Sequence, residues 1–275
     1  MTTDRDGGLM NRVSVIIPTY NRADKIGRSI QSVLDQTHRD LELIVVDDCS
    51  TDDTEEVIKS IADDRVRYFK MPQNGGAAAA RNAGARMAGS EILAFQDSDD
   101  VWRAEKIEKQ LRYWEAHRDY SMIYSRFLRH DGEKKIPVPV DDVEGALEGD
   151  LLKDLLVRNT ITPQTMIVDR EAFFEAGAFD EDCRCIEDWD FVIRFARDYL
   201  IGYLEEPLVD VYYEPGGVSG NIREFLRVRV KMIEKYGLYM TQYDMMEDVF
   251  ADLVWRADQA GCMQELQALL RRLPK

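Results

Sequence analysis

Apolar positions alternate between two rhythms along the first 115 residues, and that alternation predicts the architecture. A β-branched run at 13–17 (VSVII) stops at Pro18, as a strand buried on both faces would. Ile26, Ile30, Val33 and Leu34 then fall at i, i+4, i+7 and i+8, the spacing of an amphipathic helix over 23–36. The pair repeats as a strand at 41–46 (LELIVV), ending at Asp47-Asp48, and a helix carrying Val57, Ile58 and Ile61 that Ser50 or Asp52 can cap. Residues 66–71 read as a third strand closed by Gly75-Gly76, and the alanine-rich 77–88 has high helix propensity. A fourth apolar run, Ile92 to Phe95, ends abruptly at QDSDD, and Ile107, Leu111 and Trp114 mark a helix that begins near Val101. Four such β-α units predict an α/β fold: an open, mostly parallel sheet flanked by helices, with ligands bound outside the carboxyl ends of the strands.

The pattern changes beyond 115. Residues 121–124 read as a short strand and 126–140 as a hairpin or loop turning at Asp131-Gly132, followed by an acidic, exposed stretch at 141–150. Further strands are expected at 164–168 and 203–213, with helices at 170–176 and from Glu187 through Phe191, Val192 and Phe195. From Ile222 onward the apolar spacing is helical to the end, a C-terminal helical appendage over 221–275. The expected organisation is a lead-in at 1–11, a main domain at 12–220 (12–115 and 116–220 as its two parts), and that appendage.

Composition narrows the function. Hydrophobic residues are 45% of the 275, enough for a sizeable core, while the net charge of −16 argues against broad nucleic-acid binding. An anionic substrate must therefore meet local cations or a metal. Cys49, Cys183, Cys185 and Cys262 are too scattered for a disulfide framework and read as reduced thiols. No apolar segment approaches the ~20 residues needed to span a bilayer, and the polar start does not read as a signal peptide. The expectation is a cytoplasmic protein. Arg223, Arg227 and Lys231 recur at i, i+4 and i+8, so 222–236 is either a peripheral membrane contact or a solvated helix face.

The unusual chemistry sits at the predicted strand ends: Pro18-Thr19-Tyr20-Asn21, Asp47-Asp48, and Asp97, Asp99 and Asp100. Acids this close repel one another and are best tolerated where a cation offsets them. Hard carboxylate oxygens suit Mg2+ or Mn2+, which bridge to phosphates. An acidic turn capping a helix is the plainer alternative. No G-x-G-x-x-G and no P-loop follow the strands, which disfavours dinucleotide folds and P-loop NTPases.

Six stretches in order, VSVIIPTYNR, LELIVVDDCSTDDT, NGGAAAARNAGARMA, ILAFQDSDDVW, GAFDE and EDWDFVIRFA, resemble the family 2 glycosyltransferases of the GT-A fold across about 13–219. The resemblance implies an inverting, metal-assisted transfer of a sugar from a nucleotide donor, UDP favoured, to a carbohydrate or lipid-linked acceptor, in cell-surface polysaccharide or glycolipid synthesis. It implies that Pro18, Thr19 and Tyr20 line the nucleotide pocket, that Asp48 accepts from the uracil N3–H, and that Arg81 approaches the diphosphate or sugar. Asp97 would lie near the ribose, Asp99 would be the Mn2+ or Mg2+ ligand of the DxD motif, and Asp188 the general base. Asp180, Glu187 and Trp189 would face the acceptor. Each has a plainer role: Tyr20 packing on its helix, Arg81 on a helix surface, Trp102 and Trp189 in the core, Glu187 and Asp190 answering a helix dipole. Many relatives carry a histidine near the end of the domain, whereas 211–219 has none. Two rivals remain: a nucleotide-sugar sensor, and a haloacid-dehalogenase-type phosphatase using Asp97 in a D-x-D-x-[TV] pattern.

Overall fold

The computed structural model describes residues 12–141, 145–183, 185–212 and 221–273. The expected lead-in and most of the stretch without histidine lie outside them. Four parallel strands form first: β1 (Val13–Thr19), β2 (Leu41–Asp47), β3 (Val66–Lys70) and β4 (Ile92–Phe95), with helices α1 (Ile26–Leu34), α2 (Thr54–Lys59) and α3 (Ala77–Met87) between them. Every residue of β1, β2 and β4 is buried, the reason these runs read as continuous rather than alternating. Successive side chains still part to opposite faces. Val13, Val15 and Ile17 join the core under α1, while Ile16 joins the core under α3.

β1 runs through Pro18 to Thr19 instead of stopping at the proline. The carbonyl of Ile16 faces β4 and that of Thr19 faces β2, so Pro18 faces β4, which has already ended at Phe95. Its missing N–H therefore costs no ladder bond. On the α3 side Gly84 lets the helix lie close to the sheet: a Cβ there would sit 2.5 Å from Ile16 Cγ2.

The remaining strands are β5 (Val101–Trp102), β6 (Tyr120–Asp131), β7 (Lys134–Val138), β8 (Met166–Asp169) and β9 (Leu200–Tyr212). They extend the sheet in the order β3-β2-β1-β4-β8-β6-β9-β5, with β7 hairpinned onto β6 at the expected Asp131-Gly132 turn. Pairing is parallel as far as β4 and mixed beyond it. The helix expected from Val101 begins instead at Lys106, as α4 (Lys106–Ala116), because buried Asp100 accepts from Tyr212 N–H and Gln164 Nε2 and holds the following residues extended against β9. Pro163 likewise turns the expected start of β8 into a short 3-10 turn.

α5 (Leu152–Val157), α6 (Arg170–Glu175) and α7 (Glu187–Phe195) cover the mixed half. α8 (Ile222–Gln242), α9 (Met246–Gln259) and α10 (Met263–Leu270) follow. Leu226, Ile233, Val249, Leu253 and Leu266 share one apolar cluster with Leu155, Trp189 and Phe191, so these last helices pack directly on α5 and α7.

Candidate active site

The carboxyl ends of β1, β2 and β4 meet along one rim. Asp47 is fully buried there and accepts from Ser50 N–H (2.7 Å) and the Tyr68 hydroxyl (2.7 Å), so it secures the strand end. Asp48 lies beside it and accepts from Gly75 N–H (2.6 Å) and Gly76 N–H (2.8 Å), fixing the loop before α3. Tyr20 is 45% exposed at the mouth of this rim, while the buried Thr19 Oγ1 has no partner among the described residues.

At the end of β4 the acids divide by their partners. Arg81 on α3 reaches Asp97 Oδ1 through one terminal nitrogen and Glu187 Oε1 through the other, both at 2.7 Å. The arginine is 5% exposed, so it lies beneath the acids rather than on a helix surface. Burial opposes its charge, but Asp97 and Glu187 outweigh this and raise its pKa. Among the described residues Asp99 has no such clamp: Arg22 Nε stands 3.7 Å from Oδ2, and burial followed by the charge of Asp97 pushes its carboxyl up. Arg28, which donates to the Asp99 carbonyl, stacks over Tyr212 with its guanidinium carbon 4.4 Å from the ring centre.

The third group of acids opens α7. Ile186, just before it, adopts φ 53° and ψ 31°, a left-handed conformation unfavourable for a β-branched residue by roughly 1–3 kcal/mol. Beyond this turn Glu187 is held by Arg81, and buried Asp190 is held by Arg194 Nε (2.9 Å), Lys235 Nζ (2.7 Å) and the Tyr236 hydroxyl (2.7 Å). Asp190 is thus a clamp between α7 and α8, more than an answer to the helix dipole. Burial works against its charge, but these partners prevail and lower its pKa.

Asp188 differs from both neighbours. Its carboxylate accepts from Trp189 N–H (2.8 Å) and, at 3.3 Å, from the Asn159 amide, with no cation bonded to it among the described residues. Burial, with Glu187 adding to it, pushes this carboxyl up to about 7. It lines a cleft of about 450 Å³ whose lining includes Asn159, Trp189, Phe225, Asp252 and Arg256, the Trp189 and Phe225 ring centres 6.3 Å apart. Trp189 is 4% exposed, its indole N–H donating to the Leu155 carbonyl (2.6 Å) and its ring covered by Arg229 at 3.9 Å. Asp180 stands apart, 3.9 Å from Lys235 and outside the cleft lining.

The Glycosyl transferase family 2 model matches residues 14–173, more than half of the chain. The chain belongs to glycosyl transferase family 2. WfaP of Escherichia coli, named as a UDP-Glc:alpha-D-GlcNAc-diphosphoundecaprenol beta-1,3-glucosyltransferase, is 38% identical over 122 residues, 44% of this chain and 49% of WfaP. TuaG of Bacillus subtilis, named for teichuronic acid biosynthesis, is 38% identical over 162 residues, 58% of this chain and 62% of TuaG. The chain spans less than two thirds of such relatives, and only 28% of a Rickettsia bellii glycosyltransferase. Among solved structures, S. aureus TarS 1–349 in complex with UDP-GlcNAc superposes with a TM-score of 0.70 at 20% identity, over 96% of this chain and 82% of that one. The mannosyltransferase PcManGT from Pyrobaculum calidifontis, in complex with GDP-Man and Mn2+, gives 0.62 at 17%, over 95% and 74%. These two likenesses speak for the fold: the α/β sheet of this glycosyltransferase is GT-A-like.

In this family 2 enzyme the strand-end acids and the α7 acids are bridged by Arg81. Asn159, Phe225, Asp252 and Arg256 were not visible as site residues in the sequence, since no motif or spacing marks them. Arg22 was in view only as the last residue of PTYNR. Among the described residues no cluster of three or more acids, histidines or cysteines is arranged to hold a metal ion. Asp99 nonetheless fits a divalent ion that takes one or two carboxylates and completes its shell from phosphates and water: it is a hard oxygen ligand, 26% exposed, with an adjoining acid to offset.

Proposed function

We propose that this glycosyltransferase moves a sugar from a nucleoside diphosphate donor, a UDP-sugar, to an acceptor hydroxyl with inversion, in the assembly of cell-surface polysaccharide or glycolipid. The observation that carries this is Asp188, a carboxylate at a cleft wall with a pKa pushed up to about 7 while both neighbouring acids are held by cations. A base is most effective when its pKa is near the working pH. Asp188 takes the proton of the acceptor hydroxyl as that oxygen bonds to the anomeric carbon. The bond from that carbon to the donor phosphate oxygen breaks, and its electron pair leaves on UDP. One displacement inverts the configuration, and no enzyme nucleophile is needed.

Tyr20, Pro18 and the Thr19 Oγ1, without a partner among the described residues, support a nucleoside pocket at the β1 end, with Asp48 beside it for the base. The part assigned to Arg81 is indirect: it fixes Asp97 relative to Glu187 and so joins the donor side to α7. Asp99 would hold Mn2+ or Mg2+, which supplies Lewis-acid neutralisation of charge on the departing diphosphate. The UDP-sugar and lipid-linked sugar in the name of WfaP, and the UDP-GlcNAc held by TarS, support the donor and acceptor classes. The phosphatase alternative needs Asp97 as an open nucleophile on a first strand, but it follows the fourth and is bonded to Arg81.

Peripheral membrane contact through 222–236 has a narrower basis than its spacing promises. Arg223 pairs with Glu265 (3.3 Å) and Arg227 with Glu224 (2.6 Å). Among the described residues no helix is long and apolar enough to cross a membrane. The test of the main proposal is a thermal-shift and turnover screen of UDP, GDP and dTDP with their sugars, with and without Mn2+. UDP-sugar binding with UDP release is expected, and a chain that binds and turns over no nucleotide sugar overturns it.

A further inference from the structure

Part of the lining of the cleft that Asp188 shares comes from two helices outside the stretch 14–173 that the family model matches. Phe225 lies on α8, and Asp252 and Arg256 lie on α9. At about 450 Å³ the cleft falls within the range of small-molecule sites, roughly 300–1,000 Å³. Trp189 is already committed, pinned to the Leu155 carbonyl and covered by Arg229. The lining also offers an apolar ring edge, an amide at Asn159 and, besides Arg158, the guanidinium of Arg256.

That guanidinium is held in one orientation. Arg256 Nε donates to both carboxylate oxygens of Asp252 at 2.9 Å, and its central carbon lies 4.9 Å from the Phe225 ring centre. Its terminal nitrogens have no hydrogen-bond partner among the described residues, so the donor-rich end of the fork is available at the cleft. In a chain of net charge −16 an anion needs such a local cation. Asp252 already contributes one negative charge, so a singly charged carboxylate gains little there. A phosphate brings up to two charges and several acceptor oxygens, and matches the fork.

We propose that α8 and α9 form half of the acceptor site, and that Arg256 recognises a phosphate on the acceptor saccharide. The sugar ring lies between Phe225 and Asn159 with its hydroxyl toward Asp188. This rests on the reading of Asp188 as the base, but the test separates the two. Calorimetry on the full chain, saturated with UDP and Mn2+, compares N-acetylglucosamine 1-phosphate, glucose 1-phosphate, the free sugars, glucuronate, and N-acetylglucosamine joined through a diphosphate to a short alkyl chain. Phosphate-bearing probes are expected to bind about tenfold or more tightly than free sugars and glucuronate. Arg256→Gln abolishes that preference, Arg256→Lys restores part of it, and UDP affinity shifts less than about twofold in either. A tighter alkyl diphosphate points to a lipid-linked acceptor, and equal binding of the monophosphates to a soluble one. The proposal is overturned if phosphate gives no advantage, if no probe binds, or if Arg256→Gln keeps the preference. UDP-sugar turnover, measured separately, tests the transfer reaction without bearing on this wall.

Discussion

Replacing Asp188 with Asn makes a prediction in which activity and stability move in opposite directions. The carboxyl, ordinarily near 3.8, is pushed up to about 7 by burial and then by Glu187. The folded chain therefore holds this proton over a pH range where the unfolded chain has released it. Stability falls as pH rises from about 4 to about 7, and the full cost is present above that. At about 1.4 kcal/mol per pH unit the cost at pH 8 is on the order of 4 kcal/mol, an upper bound because water in the cleft screens part of it. Asn removes the charge but loses one of the two acceptor contacts, to Trp189 N–H or to Asn159, worth about 1 kcal/mol. Asp188→Asn is thus expected to be more stable at pH 8 by up to about 3 kcal/mol, a rise in Tm of up to about 6 °C for a chain of this size, shrinking toward zero near pH 4. Its kcat should fall by about 100- to 10,000-fold, while donor affinity changes by less than about threefold. The wild-type rate should climb with pH through about 7 and level off, as a base that must be ionised requires. Melting curves from pH 4 to 8, calorimetry with the donor, and initial transfer rates measure all three. A near wild-type rate, or a Tm lowered equally at both ends of the pH range, refutes the assignment of the base.

Asp190→Asn should do the reverse, losing about 3–5 kcal/mol of stability because Arg194 and Lys235 lose a buried partner. Since the Asp190 pKa is lowered, its contribution is present above 3.8 and is lost as pH falls through the lower folded value, so acid melts of wild type and variant should converge. Asp99→Asn should leave Tm largely intact while weakening Mn2+-dependent donor binding by about tenfold or more, read by calorimetry with and without a chelator. Gly84→Ala, whose Cβ would meet Ile16 at 2.5 Å, should lower the denaturation midpoint by the equivalent of about 1–3 kcal/mol.

The parts legible in the sequence are those that depend on near neighbours along the chain. Continuous β-branched runs announced β1, β2 and β4 because those strands are buried on both faces, and the acids at their ends were visible because the chain turns polar where a strand leaves the sheet. Contacts made across the fold were hidden. Val101–Trp102 reads like a helix start and becomes β5 through the N–H of Tyr212, 112 residues away, which donates to Asp100. Nothing in NGGAAAARNAGARMA shows that Arg81 will be buried against two acids, one of them 106 residues on. α7 makes the same point chemically. Glu187, Asp188 and Asp190 all occupy one first turn, where a helix dipole treats acids alike. What separates them is supplied from elsewhere: Arg81 from α3 answers the first, and Lys235 and Tyr236 from α8 answer the third. Among the described residues Asp188 is met by only an amide and a backbone N–H, so its charge stays costly. A carboxylate that no described cation bonds, at the lining of a cleft, is what the proposed base requires to take a proton from an acceptor hydroxyl.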